Sequence, residues 1–275
     1  MSEEVPESNE VVLDPNAPDP LQDCYRDLLV RVESVPEVAM QAAAIGDCLD
    51  RLDGEEAVWV LDQLLRGALW GHAGAAEAVL ALAWYLIQMR LDDDYDRIRD
   101  LYGSAYDAGR EAVRDLLREV PPHRSLPKGR GLPEVRLPQD RDVTVGERRT
   151  LASGPKVQIL ERLLMDPNPL VIRKLLSNPQ IRLEDVMVLV TRRPTTPELI
   201  HEVVRHPRWF ARLKAREGAV RNPYGETGTS LRLLPTLGIK LLRAIAFSRD
   251  LHPVLHESAK RLVLLREERT APWRV

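Results

Sequence analysis

Six dipeptides punctuate the second half of this chain: Asp166-Pro167, Asn178-Pro179, Arg193-Pro194, His206-Pro207, Asn222-Pro223 and His252-Pro253. Proline has no N–H and its ring clashes with the preceding turn, so a helix cannot run through it. The residue before proline is driven out of the α region as well. Successive prolines lie 12, 15, 13, 16 and 30 residues apart, the last interval leaving room for one more element near Leu234-Pro235. Between the stops, apolar residues recur at helical spacing: Leu170, Val171, Leu175 and Leu176, then Val186, Leu189 and Val190, then Leu199, Ile200, Val203 and Val204. Helices of about ten residues are marginal alone, so each stripe must be buried against its neighbours. Taking every second stop gives a period of 28 (Pro179 to Pro207) or 29 residues (Pro194 to Pro223). Two short helices per period is the pattern of an α-solenoid. Asn178 and Asn222 are expected in the left-handed conformation that asparagine tolerates at a helix end.

The series LLMDPNPLVIRKLLSNPQIRLEDVMVLVTRRPTTPELIHEVVRHPRWFARLKAREGAVRNP resembles the leucine-rich-repeat-variant and HEAT-like group of helical repeats. In that group an Asn-Pro pair followed by a Thr/Ile-x-x-Asp-Val-x-x-Leu motif recurs between helices. The resemblance covers roughly residues 156–265 and implies an architecture, because such repeats share core and turn positions and no catalytic motif. The glycine-rich segment Pro223–Ser230 departs from the pattern.

Charge divides the chain. Residues 1–119 hold 10 basic against 26 acidic residues, a net of −16, and residues 120–275 hold 29 against 16, a net of +13. The acidic part reads as a helical bundle over 21–120. Helices are expected from Leu21 to Pro36, from Pro36 or Glu37 to about Leu52, over Glu55–Leu69, over Ala75–Met89, and from Tyr95 to about Val120. The fourth is apolar nearly all round and belongs at the centre of its bundle. The fifth carries the stripe Ile98, Leu101, Tyr102, Ala105, Tyr106, Ala112, Val113, Leu116 and Leu117. Residues 1–20 form an acidic, proline-bearing lead-in with the composition of disorder, and residues 267–275 a free tail. Over 121–154, Pro121, Pro122, Pro127, Pro133 and Pro138 with Gly129 and Gly131 exclude a regular helix. This stretch reads as a basic linker that ends in a helical turn over Gly146–Gly154. The repeat domain spans 155–266. The fold class is therefore all-α: an N-terminal bundle followed by an α-solenoid of short proline-terminated repeats.

The two cysteines, Cys24 and Cys48, do not make a secreted-type disulfide framework and read as small buried hydrophobes. The acidic N-terminus lacks a signal-sequence pattern, and the longest apolar run, Val79 to Ile87, is too short to cross a bilayer. The expectation is a cytoplasmic protein with no membrane contact.

Catalytic and metal patterns are weak. His201-Glu202 with His206 differs from the zinc-protease spacing by one residue, and Pro207 ends the helix there. His252 and His256 stand four apart, but His252 precedes a proline and lies outside the helix. Gly225-Glu-Thr-Gly228 lacks the lysine of a phosphate loop. No catalytic residue, metal ligand or cofactor is assigned. The strongest signal is a basic cluster: Arg192, Arg193, Arg205, Arg208, Arg212, Lys214, Arg216 and Arg221, with Trp209 and Phe210 among them. Arg208, Arg212 and Arg216, four apart, are expected to form a stripe on one helix face. This surface points to a non-enzymatic adaptor that binds an acidic protein partner. The alternative is nucleic acid, held through phosphates and stacked bases. Opposite charges further predict that the acidic bundle docks onto the basic array and masks it.

Overall fold

The computed structural model describes residues 18–89, 91–126, 132, 135, 137 and 142–268. Most of the lead-in, the tail beyond 268, and Pro127, Lys128, Gly129, Arg130, Gly131, Pro133, Arg136 and Pro138 of the linker lie outside the described residues. Among the described residues the chain is all-α, with sixteen α-helices, one 3-10 turn and no strand.

The first four helices are α1 (Asp19–Glu33), α2 (Val38–Leu49), α3 (Gly54–Leu69) and α4 (Ala73–Gln88). Each starts within a few residues of its expected position, and α3 is fixed by a capping box in which Asp53 and Glu56 satisfy each other's backbone N–H. The helix expected over Tyr95–Val120 is two helices, α5 (Leu91–Asp107) and α6 (Glu111–Leu117). Gly109 takes φ +64°, and the Arg110 N–H closes back on the Ala105 carbonyl at 2.8 Å, a Schellman ending. This break leaves Tyr106, expected in the buried stripe, exposed to solvent.

Ten helices follow: α7 (Val145–Ala152), α8 (Val157–Leu163), α9 (Pro169–Leu176), α10 (Leu183–Thr191), α11 (Pro197–Arg205), α12 (Pro207–Phe210), α13 (Leu213–Val220), α14 (Thr227–Leu233), α15 (Ile239–Ala246) and α16 (Pro253–Glu268). The 3-10 turn Leu234–Thr236 precedes α15, near the proline where an extra element was expected. Pro169, Pro197, Pro207 and Pro253 occupy first-turn positions, where the missing N–H costs nothing.

The asparagines before proline work differently from expectation. No non-glycine residue has positive φ among the described residues. Asn178 keeps ordinary backbone geometry and uses its side chain as a clamp. Its Nδ2 donates to the carbonyls of Ala152 (2.8 Å) and Gly154 (2.9 Å), while Oδ1 accepts the Gln180 N–H. Asn222 repeats the arrangement on the carbonyls of Val190 (2.8 Å) and Arg192 (3.0 Å) and the Tyr224 N–H. Asp166, fully buried, takes the same turn through the Asn168 N–H and replaces the donated bonds with an ion pair to Arg148 at 2.7 Å. The proline removes a donor and the side chain before it satisfies carbonyls that end a neighbouring helix.

Helices α7, α9 and α11 pack in a row, and α4 of the N-terminal part continues that row beyond α11. Helix α10 rests on α11 and α13. Helix α4 is central, as its composition implies, touching α1, α2, α3, α6, α11 and α14.

The apolar interior divides at α11–α13. Leu199, Val203, Trp209 and Ala215 face one core with α7–α10, while Ile200, Val204, Phe210, Ala219 and Val220 face another shared with α1–α6 and α14–α16. Alternate faces of three short helices thus form a wall between the two cores. Beyond it the chain turns onto the N-terminal helices. Gly228, in the segment that departs from the repeat pattern, sits where an added Cβ would lie 3.0 Å from the Arg118 carbonyl, so glycine permits the approach of α14 to α6. Ion pairs fasten α14 and α16 to the N-terminal helices: Glu119 with Arg232, Asp115 with Arg261, and Arg66 with Glu268 at 3.2 Å.

Candidate basic binding surface

The proposed cluster separates into structural and surface members. Trp209 is 2% exposed, and its Nε1–H donates to the Leu176 carbonyl at the end of α9 (2.9 Å). Phe210 is fully buried. The Arg208 guanidinium lies 4.2 Å from the Trp209 ring centre and donates to the carbonyls of Ile181 (3.0 Å) and Asn178 (3.4 Å). Arg216 is buried, donates to the Phe210 carbonyl and stands over the Phe210 ring. Burial pushes its pKa down to about 10, so the guanidinium keeps its charge at neutral pH. Arg192, half-buried, reaches the Leu164 carbonyl at the end of α8 (3.2 Å). Its pKa is lowered by burial, with Asp166 acting against the shift.

The expected stripe of Arg208, Arg212 and Arg216 does not form. Arg208 belongs to α12, Arg212 precedes the first turn of α13, and Arg216 points inward from α13. The turn between Phe210 and Leu213 breaks the helical register that the four-residue spacing assumes. Arg205 exchanges bonds with Gln88 of α4, its Nε donating at 3.0 Å and its carbonyl accepting at 3.3 Å.

Arg193, Arg205, Arg208, Lys214 and Arg221 are all exposed, and of these the structure brings Arg193, Lys214 and Arg221 together. They border a groove of about 300 Å³ between α10 and α13 whose other walls are Met187, Val190, Thr191, Glu217 and Gly218. Gly218 makes the floor shallow and close-packed: an added Cβ would stand 2.5 Å from the Val190 side chain. Arg193 is held by the Arg221 carbonyl at 2.6 Å and lies 3.8 Å from Asp250. Arg212 is exposed at the start of α13. The result is an aliphatic floor with three cations and one carboxylate around it. Such a site can hold an anion whose neighbouring groups are apolar.

The histidines considered as ligands engage separate partners. His201 Nδ1 is 3.5 Å from Glu226, His206 Nε2 is 3.3 Å from the Ser177 hydroxyl, and His252 Nδ1 accepts the Val254 N–H at 3.2 Å. Burial, then the Arg208 charge, lowers the pKa of His206. Among the described residues no group of three His, Cys, Asp or Glu side chains converges on one ion position.

Sequence reasoning missed two features. Glu202, read only as part of a histidine motif, is a buried carboxylate gripped by both arms of Arg173 (2.7 and 2.6 Å). Its position three after Leu199 places it on the apolar side of α11, which was the available signal. The groove floor was missed because Met187 and Gly218 lie 31 residues apart in sequence. No family model matches this chain, and no curated protein and no solved structure matches it either.

Proposed function

We propose that this chain is a non-enzymatic adaptor. Its second half acts as a helical-repeat array of the HEAT-like or leucine-rich-repeat-variant kind, and an acidic segment of a partner protein docks along the α10–α13 groove. The observation that carries this reading is the juxtaposition of Arg193, Lys214 and Arg221 over the aliphatic floor of Met187 and Val190. An Asp or Glu flanked by Leu or Val complements both features at once. Nucleic acid fits less well, because binding of unpaired bases uses exposed aromatic faces, and Trp209 and Phe210 are both buried. In this reading the acidic N-terminal helices are a buttress, not a mask: their ion pairs run to α14 and α16, through residues that do not line the groove. Among the described residues no helix is long and apolar enough to cross a membrane, which suits an adaptor working in the cytoplasm.

The class of partner is tested by fluorescence anisotropy on the whole chain at low salt. Three labelled probes are compared: a peptide alternating Glu with Leu, the same peptide with Lys for Glu, and a single-stranded oligonucleotide of equal negative charge. The acidic peptide is expected to bind with an affinity that falls as salt screens the exposed cations, and the lysine peptide not to bind. Binding of the oligonucleotide alone moves the surface to the nucleic-acid class, and binding of neither anion refutes the groove as a site.

A further inference from the structure

Cys24 on α1 and Cys48 on α2 take no part in the basic groove, and their sulfur atoms are 3.6 Å apart. The sequence alone gives two thiols separated by 23 intervening residues. The packing of α1 against α2 brings them into contact. Cys48 is buried, whereas Cys24 is half-exposed. Both cysteines line a depression of about 390 Å³ that is also bordered by Asp23, Asp27, Arg31 and Arg51. Of the two cysteines, Cys24 is the one that solvent reaches, and a thiol reacts with oxidants in its thiolate form. A second thiol in contact with the first is the arrangement that captures a sulfenic acid before it is oxidised further.

We propose that Cys24 and Cys48 form a reversible redox pair, in which a hydroperoxide oxidises Cys24 and Cys48 resolves it as an intrachain disulfide. The Cys24 thiolate attacks one peroxide oxygen, the O–O bond breaks, and hydroxide (or alkoxide) leaves with the electron pair, giving Cys24 sulfenic acid. The Cys48 sulfur then attacks Cys24 Sγ. The S–S bond forms, the S–O bond breaks, and the departing hydroxide takes the Cys48 proton as water. With hydrogen peroxide the sum is two thiols and one peroxide to one disulfide and two waters. The division of roles follows exposure: peroxide reaches Cys24 through the depression, while Cys48 waits behind it. Burial, then the hydrogen bond and charge of Cys24, push the Cys48 pKa up to about 12, which keeps Cys48 a thiol while Cys24 reacts. A dithiol reagent reverses the bridge by exchange. The bridge fastens α1 to α2.

The experiment treats the reduced full-length chain with a small excess of hydrogen peroxide, then unfolds it, alkylates it and weighs it intact. The expected product is a monomer lighter by two hydrogens that takes no alkyl group. It melts at a higher temperature than the reduced chain, and dithiothreitol returns both properties. In the Cys48→Ser variant the oxidation is expected to stop at Cys24 sulfenic acid, trapped there by dimedone, whereas Cys24→Ser leaves Cys48 unmodified under the same dose. Two alkyl groups on peroxide-treated wild type, or a disulfide joining two chains, overturns the proposal. Dimedone on Cys48 in the Cys24→Ser variant at the wild-type rate overturns the assignment of the attacking thiol.

Discussion

A Trp209→Ala variant is expected to lose about 4 kcal/mol of unfolding free energy, a value inside the range for deleting a fully buried large aromatic. The ring is one of the largest buried side chains of the protein, and it belongs to a four-residue helix with little stability of its own. Removing it opens a cavity beside Leu176, leaves that residue's carbonyl without the indole donor, and takes away the face on which Arg208 rests. The carbonyl alone adds about 1 kcal/mol. Because a domain of this size is stable by only about 5–15 kcal/mol, the loss is readable in a urea titration. Trp209→Phe keeps most of the volume and loses the N–H, so a cost of about 1–2 kcal/mol is expected. A loss below about 1 kcal/mol for the alanine variant would mean that Trp209 is not packed against the end of α9.

Asp115→Ala is expected to cost about 2–3 kcal/mol, slightly below the range for breaking a fully buried ion pair. Asp115 is almost fully buried on α6 and accepts from Ser258 Oγ (2.7 Å), Arg261 and Arg118 (3.4 Å). Two of those partners are on α16, more than 140 residues later. The discount arises because Arg261 is partly exposed and keeps Glu111. The Ser258 hydroxyl, buried, loses its acceptor. Amide-exchange mass spectrometry is expected to show faster exchange in both α6 and α16. Faster exchange in α6 alone would break the claim that the C-terminal helix closes on the N-terminal bundle.

Much of the secondary structure was legible because its causes are local. Proline positions marked helix ends, and the apolar spacing of Leu199, Ile200, Val203 and Val204 named a helix and its buried side. The same spacing could not say that Leu199 and Val203 enter one core while Ile200 and Val204 enter another. That division depends on which helices arrive from far along the chain. Asn178 and Asn222 are legible in the sequence as helix-end residues, but their action is tertiary: each clamps carbonyls 24–32 residues upstream. Gly109 is a local signal that periodicity overrode, since the stripe of α5 resumes in phase in α6.

The basic cluster was legible as charge and not as surface. Arginine serves two physical roles here that composition cannot separate. Arg192, Arg208 and Arg216 extend along apolar side chains and cap backbone carbonyls inside or beside the core. Arg193, Lys214 and Arg221 face solvent. A periodicity argument treats all of them alike, and only the short turn at Ala211-Arg212 decides which way Arg216 points.

The assignment of function to Arg193, Lys214 and Arg221 is tested most directly by titrating the Glu-Leu peptide into the K214E/R221E protein beside wild type. Both side chains are exposed, so the melting temperature is expected to stay the same, since surface substitutions rarely change stability by more than about 0.5 kcal/mol. Affinity is expected to fall about tenfold or more, because reversing two charges replaces attraction by repulsion at the rim. Equal affinity in the two proteins, at equal stability, contradicts the groove as the binding site.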